Sequence, residues 1–211
     1  MDHQTTKPTP QAAKTPRTKP AEIRLNELMT AAEKLFLAKG VEATTINEIV
    51  KEAQVAKGTF YHYFSSKNDM LVALGERYTA DFLARLQKAL DACPDHDWLQ
   101  RLRTWIEVSV DVYAQTYRTH DIVYTNHHHH DRSNQARNAL LDQLLDIIEG
   151  GQLAGTWRVE QPRVVALLIY SGVHGATDDI IAAKANDRAR FAHQVADACL
   201  RMLPPPEKTA R

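Results

Sequence analysis

Between Val55 and Lys67 the chain reads Val-Ala-Lys-Gly-Thr-Phe-Tyr-His-Tyr-Phe-Ser-Ser-Lys. Val55, Phe60 and Phe64 recur at separations of five and four, so a short helix turns all three inward. Lys57, Gly58, Thr59, Tyr61 and His62 are then left on the outer face. A cation, a glycine, a hydroxyl, a phenol and an imidazole make poor core material. They suit a phosphate backbone and base edges: Lys supplies charge, Gly lets a backbone come close, and Thr and Tyr form hydrogen bonds. Lys67 opens the next helix, where a cation opposes the helix dipole, and a phosphate is its natural partner.

Two further helices are needed to hold such a face outward. Ile46, Ile49, Val50 and Ala53 fall at i, i+3, i+4 and i+7, one apolar stripe of a short helix. Thr45 stands before it with Glu48 three residues on, the Thr-x-x-Glu capping box. After Ala53 the pattern pauses for about three residues and resumes at Lys57, which makes a helix-turn-helix whose second helix can enter a major groove. The third wall is a helix from Ala21 to Lys39 with Leu25, Leu28, Ala32, Leu35 and Phe36 on one side, stopped at Gly40.

From about Ile23 to Leu74 these residues resemble the TetR family of bacterial transcriptional regulators. The carriers are Phe36-x-x-x-Gly40, Thr44-Thr45-Ile46-x-x-Ile49, Val55-x-Lys57-Gly58-Thr59-Phe60-Tyr61-x-Tyr63-Phe64 and Lys67. Ala56 departs from the pattern, standing where the family often places a Ser that caps the recognition helix. The resemblance implies an all-α homodimer that binds a palindromic operator in double-stranded DNA and releases it when a small-molecule inducer enters the C-terminal domain. It divides the chain into a basic disordered tail (1–19), a three-helix helix-turn-helix domain (20–67), a helical ligand-binding and dimerisation domain (68–203) and a second tail (204–211). The residues expected at DNA are Thr45, Lys57, Gly58, Thr59, Tyr61, His62 and Lys67.

The remaining helices follow from their periods. About Asn68 to Ala92 forms a long lever carrying Met70, Leu71, Leu74, Tyr78, Phe82, Leu86 and Leu90; about Asp97 to Arg118 forms a second, rich in aromatics. Aromatics at helical spacing are usually core. Yet Ser109, Tyr113 and Thr116 bring polar tips to an apolar wall, as a small-molecule cavity requires. Trp105, Ser109, Tyr113, Tyr124, Tyr170 and His174 are the expected ligand contacts. Arg103, Glu107 and Asp111, four apart, read as a solvated row. Ser133 to Gly150 forms the next helix, halted by Gly150-Gly151, and Pro162 opens the one after it, which runs from Arg163 to about Lys184. That helix begins with Val164, Val165, Leu167, Leu168 and Ile169 and continues through Ser171, Gly172, Gly175 and Ala176. Glycines inside a helix suggest that another backbone packs closely. With the last helix, Arg188 to Leu203, it carries more apolar face than one subunit uses, and the expectation is a homodimer through these two helices.

Other chemistries find little support. No nucleophile–base pair or phosphate loop is present, so the chain reads as a non-enzyme with no cofactor. His127 to His130 are four consecutive imidazoles that cannot converge on one ion, and no metal site is expected there. The run reads as a polar junction between helices. Cys93 and Cys199 lack metal or redox spacing and read as buried thiols. Charge is balanced at 26 Lys/Arg against 26 Asp/Glu over 211 residues, and Ala21 to Lys67 holds six of each sign. Positive potential must therefore be local, around Lys57 and Lys67. The first nineteen residues hold Lys7, Lys14, Arg17 and Lys19 against Asp2, and charge alone does not make that leader an arm on DNA. No apolar run approaches the ~20 residues of a membrane span, and the expected place is the cytoplasm. The alternative reading is an architectural or partner-recruiting DNA-binding protein that takes no small molecule.

Overall fold

The computed structural model describes residues 20–124, 135–184 and 187–205. Both expected tails lie wholly or mostly outside that range, as does the His127–His130 run. Among the described residues there are eight α-helices and no strand: α1 (Ala21–Lys39), α2 (Ile46–Glu52), α3 (Lys57–Tyr63), α4 (Lys67–Asp91), α5 (Trp98–Tyr124), α6 (Gln135–Leu153), α7 (Pro162–Ala183) and α8 (Arg188–Leu200). The all-α expectation is met.

Two buried clusters organise the chain. Leu28, Phe36, Ile49, Phe60, Met70 and Leu74 form the first, under α1 to α3 and the start of α4. Leu86, Trp105, Leu144, Trp157, Ile169 and Ala196 belong to the second, which involves α4 to α8. Helix α4 passes through both, and Tyr78 packs against each. Its start is set by Ser66, whose side chain accepts from the Asp69 amide, a cap that sequence reading missed.

Helix α5 runs six residues beyond the expected Arg118. The added turns bring Ile122, Val123 and Tyr124 against the first cluster, where Val123 is buried. Helix α5 therefore reaches beneath the unit formed by α1 to α3. At the other end of α5, Arg103 bonds Asp197 at 2.6 Å and Glu107 meets His193 at 2.9 Å. Arg103 and Glu107, expected in a solvated row, instead clip α5 to α8, while Asp111 stays exposed.

Gly150 and Gly151 do not stop α6, which continues to Leu153. A Cβ on Gly150 would overlap the Trp98 ring, and one on Gly151 would overlap Trp157. Both glycines are places where an indole lies on bare backbone, which compensates their low helix propensity. Trp157 is held there by its Nε1–H, which donates to the Ile148 carbonyl at 2.8 Å.

Helix α7 opens on Pro162 as expected. Ala166, Ile169, Val173, Thr177 and Ile180 are buried, while Val164, Leu168, Ser171, Gly172 and Gly175 are exposed along the other side. Its mean hydropathy reaches 1.3 over an 18-residue window, so by length and composition it is long and apolar enough to cross a membrane. Its valines, leucines and isoleucines raise that average, and Ser171, His174, Asp178 and Asp179 break them up, so α7 holds no unbroken apolar run of that length. Both cysteines are buried and free, and burial pushes the Cys199 thiol up. Beyond α8, Leu203 is buried and the Pro204 carbonyl accepts from the Arg158 amide at 3.0 Å.

Candidate nucleic-acid interface and ligand region

The capping box forms as expected. The Thr45 hydroxyl accepts from the Glu48 amide at 3.3 Å, and the Glu48 carboxylate accepts from the Thr45 amide at 2.9 Å. Lys39 sits 2.5 Å from that carboxylate. Lys39 first, then the Thr45 donors, hold the Glu48 carboxyl down at about 2. Between α2 and α3 the chain turns through Gln54 at φ +54°, and the Val55 amide donates to Val50 at 3.0 Å. A non-glycine residue in this left-handed conformation leaves no composition cue, and sequence reading did not find it.

Helix α3 divides as its spacing implied. Phe60 is 0% exposed and Tyr61, beside it, is 52% exposed. Lys57, Gly58 and His62 are exposed as well, and Thr59 is half-buried. A Cβ placed on Gly58 meets nothing within 4 Å. The N-cap, Ala56, makes no side-chain bond. Tyr63, which sequence reading left without a role, anchors the helix by donating its hydroxyl to the Ala21 carbonyl at 3.0 Å.

Ion pairs engage three of the glutamates of this unit. Glu33 pairs with Arg77 at 2.7 Å, Glu48 with Lys39 and Glu52 with Lys34 at 2.5 Å. Lys57 is in no ion pair among the described residues, so α3 keeps its cation.

Two residues expected at DNA are engaged within the protein. The Lys67 ammonium donates to the carbonyls of Val41 at 2.6 Å, Thr44 at 3.1 Å and Glu42 at 3.4 Å. It pins the α1–α2 turn onto α4. These three carbonyls offset its unfavourable place at a helix start. Thr45 is exposed, but its hydroxyl serves the cap.

The expected ligand residues divide into groups. Tyr113, Tyr170 and His174 come together: Tyr113 and His174 have ring centroids 4.5 Å apart, and Tyr170 lies 6.4 Å from His174. Tyr124 joins them through His120, whose ring is 5.0 Å from Tyr124, 4.9 Å from Tyr113 and 5.2 Å from His174. His120 is thus the hub, with Tyr78 at 5.9 Å. Neither was among the expected contacts. His120 lies four residues before Tyr124 and seven after Tyr113, and that helical spacing was the available signal. The Tyr113 hydroxyl donates to Asp178 at 2.7 Å, and His174 lies 3.2 Å from the same carboxylate. Burial, with Asp178 second, raises the Tyr113 phenol. Burial likewise pushes Tyr78 up to about 12, so these hydroxyls stay protonated donors.

Trp105 and Ser109 lie elsewhere. Trp105 is fully buried and donates to Gln143 at 3.0 Å, tying α5 to α6. Ser109 is 5% exposed, and its Oγ has no partner. Among the described residues no group of three or more His, Cys, Asp or Glu is placed to hold a metal.

Known proteins show the same organisation. Residues 28–74 match the family model described as bacterial regulatory proteins, tetR family. The chain is 25% identical over 167 residues to the HTH-type transcriptional activator FasR of Mycolicibacterium smegmatis, covering 76% of this chain and 75% of that one. It is 21% identical over 182 residues to the HTH-type transcriptional regulator QacR of Staphylococcus aureus, covering 84% and 97%. A bacterial regulatory protein in the tetR family from Rhodococcus RHA1 shares the fold with a TM-score of 0.67 at 21% identity, over 87% of this chain and 98% of that one. The helix-turn-helix unit of this chain is thus of the tetR family of bacterial regulatory proteins, and the helices behind it follow the fold of a solved regulator of that family.

Proposed function

We propose that the protein is a homodimeric repressor that reads an inverted repeat in double-stranded DNA, one α3 per half-site, and leaves it when a small molecule binds among the C-terminal helices. The observation that carries this reading is the outer face of α3. Tyr61 stands 52% exposed beside a fully buried Phe60, next to a cation with no ion pair among the described residues. An exposed phenol on a helix otherwise well anchored, with hydroxyl, imidazole and ammonium groups around it, suits base edges and phosphates. Lys57, Gly58, Thr59, Tyr61 and His62 are the proposed contacts. Thr45 and Lys67 support the turn beside them.

Two units are proposed, 20–67 for DNA and 68–203 for ligand and dimer, joined by α4. The dimer is assigned to α7 and α8: Val164 and Leu168 of α7 and Met202 just past α8 are exposed, and Gly172 and Gly175 have open space where a Cβ would stand. Apolar and small residues on one face let a second copy of the helix approach closely. The proposed ligand region is the ring cluster around His120, with Tyr113, Tyr124, Tyr170 and His174. Its rings and buried hydroxyls suit an aromatic or drug-like compound. Regulation then requires only that the compound bind the DNA-competent and DNA-incompetent states unequally.

Selection of bound duplexes from random sequence, with and without candidate compounds, tests the proposal. The expected product is one inverted repeat, lost on addition of an effective compound. Enrichment of unrelated sites, unchanged by every compound, would favour an architectural DNA binder. FasR is named as an activator, so the sign of regulation is read from a reporter placed behind the selected site.

A further inference from the structure

Where α1, α4 and α5 meet, a cleft of about 120 Å³ opens, and Tyr78 is the one residue its lining shares with the ring cluster around His120. Leu74, Phe82 and Val112 supply an apolar wall, and all three are buried. The polar side of the cleft already holds a carboxylate. Glu33, from α1, accepts from the Arg77 guanidinium of α4 at 2.7 Å and from the Thr119 hydroxyl of α5 at 3.2 Å. A guanidinium and a hydroxyl closing on one carboxyl group is a carboxylate receptor occupied from within the chain.

A second cation lies eight residues along the same helix. Arg85 lines the cleft, is exposed, and is in no ion pair among the described residues. The hydroxyls between are satisfied: Thr116 donates to the Val112 carbonyl at 2.7 Å, so in its 3.1 Å contact with Tyr78 the phenol is the donor. The donors that remain for a guest are therefore guanidinium N–H groups. Asp81, the other acid in the lining, is exposed, so its repulsion of an anion acts in high dielectric.

We propose that this cleft is an effector site for a small carboxylate bearing a single ring or short hydrocarbon. The hydrocarbon lies on Leu74, Phe82 and Val112, and the carboxylate binds Arg85 and competes with Glu33 for Arg77. At about 120 Å³ the cleft is somewhat smaller than the ~150 Å³ cavity that encloses benzene, so it holds the ring only in part and leaves the carboxylate at the rim beside the exposed Arg85. Glu33 is the contact through which α1, α4 and α5 meet at one group, so a guest that takes Arg77 loosens the DNA-reading unit from the helices behind it. By linkage, whatever strengthens the Glu33 contact weakens the guest. This site shares only Tyr78 with the ring cluster, and its occupancy can be measured without DNA.

Benzoate is the probe, with benzamide and benzylamine as controls, titrated calorimetrically into the full chain and followed by amide NMR shifts. Benzoate is expected to bind and to move the Thr116 and Thr119 amides, with benzamide at least about tenfold weaker and benzylamine weaker still. Arg85→Gln, at an exposed position, is expected to weaken benzoate by about tenfold without changing the melting temperature. Asp81→Asn and Glu33→Gln are each expected to tighten it, one by removing repulsion and the other by removing the competitor. Absence of benzoate binding at millimolar concentration, preference for benzylamine, indifference to both Arg85→Gln and Asp81→Asn, or shifts confined to His120 and His174 would each overturn the assignment. Because DNA is absent, none of these outcomes bears on operator recognition.

Discussion

Replacing Gly58 with Ala should move two measurements in opposite directions. Gly58 is the second residue of α3, its φ is not positive, and a Cβ there meets nothing within 4 Å. The free protein therefore gains helix propensity at no steric cost, about 0.5–1 kcal/mol. For a chain of this size that raises the melting temperature by about 1–4 °C. On DNA the same methyl projects from the face assigned to the groove, where the glycine lets the backbone approach. A loss of at least about tenfold in operator affinity is expected, ~1.4 kcal/mol. Ala56→Ser provides the control. It adds the missing N-cap to the same helix and should stabilise by about 1 kcal/mol, yet leave DNA affinity unchanged. Thermal melts and fluorescence anisotropy on a selected operator read both quantities. If Gly58→Ala raised the melting temperature and bound DNA as the parent does, the backbone of α3 would not lie against the duplex, and the outward-face reasoning would fail.

Lys67→Ala should cost about 1–3 kcal/mol in urea unfolding, because it removes one charged donor from three carbonyls; lost DNA affinity at full stability would make it a phosphate contact instead. The Glu48 carboxyl is held at about 2 against an ordinary 4.5, so its contribution is fully present above about 4.5 and disappears as pH falls toward 2. Melting curves of the parent and Glu48→Gln should accordingly converge across that window, and a constant gap would contradict the assignment. Leu168→Glu places a charge on a side chain 55% exposed in the single chain. It should leave the fold intact and give monomer in sedimentation velocity, whereas an unchanged dimer would move the interface off this face of α7.

Much of the DNA-reading unit was legible because its signals are local. The Thr45–Glu48 box needs only a spacing of three, and Phe60 and Phe64 need only helical periodicity to show which side of α3 is buried. What escaped depends on distant partners. Lys67 looked like a phosphate ligand because its three carbonyls come from the turn between α1 and α2, more than twenty residues away. Gly150 and Gly151 read as a helix stop since glycine is most often punctuation, and only the placement of Trp98 and Trp157 shows them as contact surfaces. Arg118 seemed to end α5 because the next apolar residues, Ile122 and Val123, belong to the core of another unit. His120 sat beside a histidine run that drew attention to metal chemistry, while its rings of contact come from three helices. Tyr113 was singled out with Ser109 as a polar tip on an apolar wall; it stands in the ring cluster with Tyr170 and His174, while Ser109 and Trp105 pack elsewhere.

The most direct test is the affinity of Lys57→Ala/Tyr61→Ala for the selected inverted repeat, measured by anisotropy at several salt concentrations with oligomeric state checked alongside. Two contacts at about 1–3 kcal/mol each predict a loss of at least about thirtyfold, with a shallower salt dependence as the Lys57 charge goes, from a protein that remains dimeric and melts where the parent does. Binding within a factor of about two of the parent, at the same salt slope, would mean that another surface of the molecule holds the DNA.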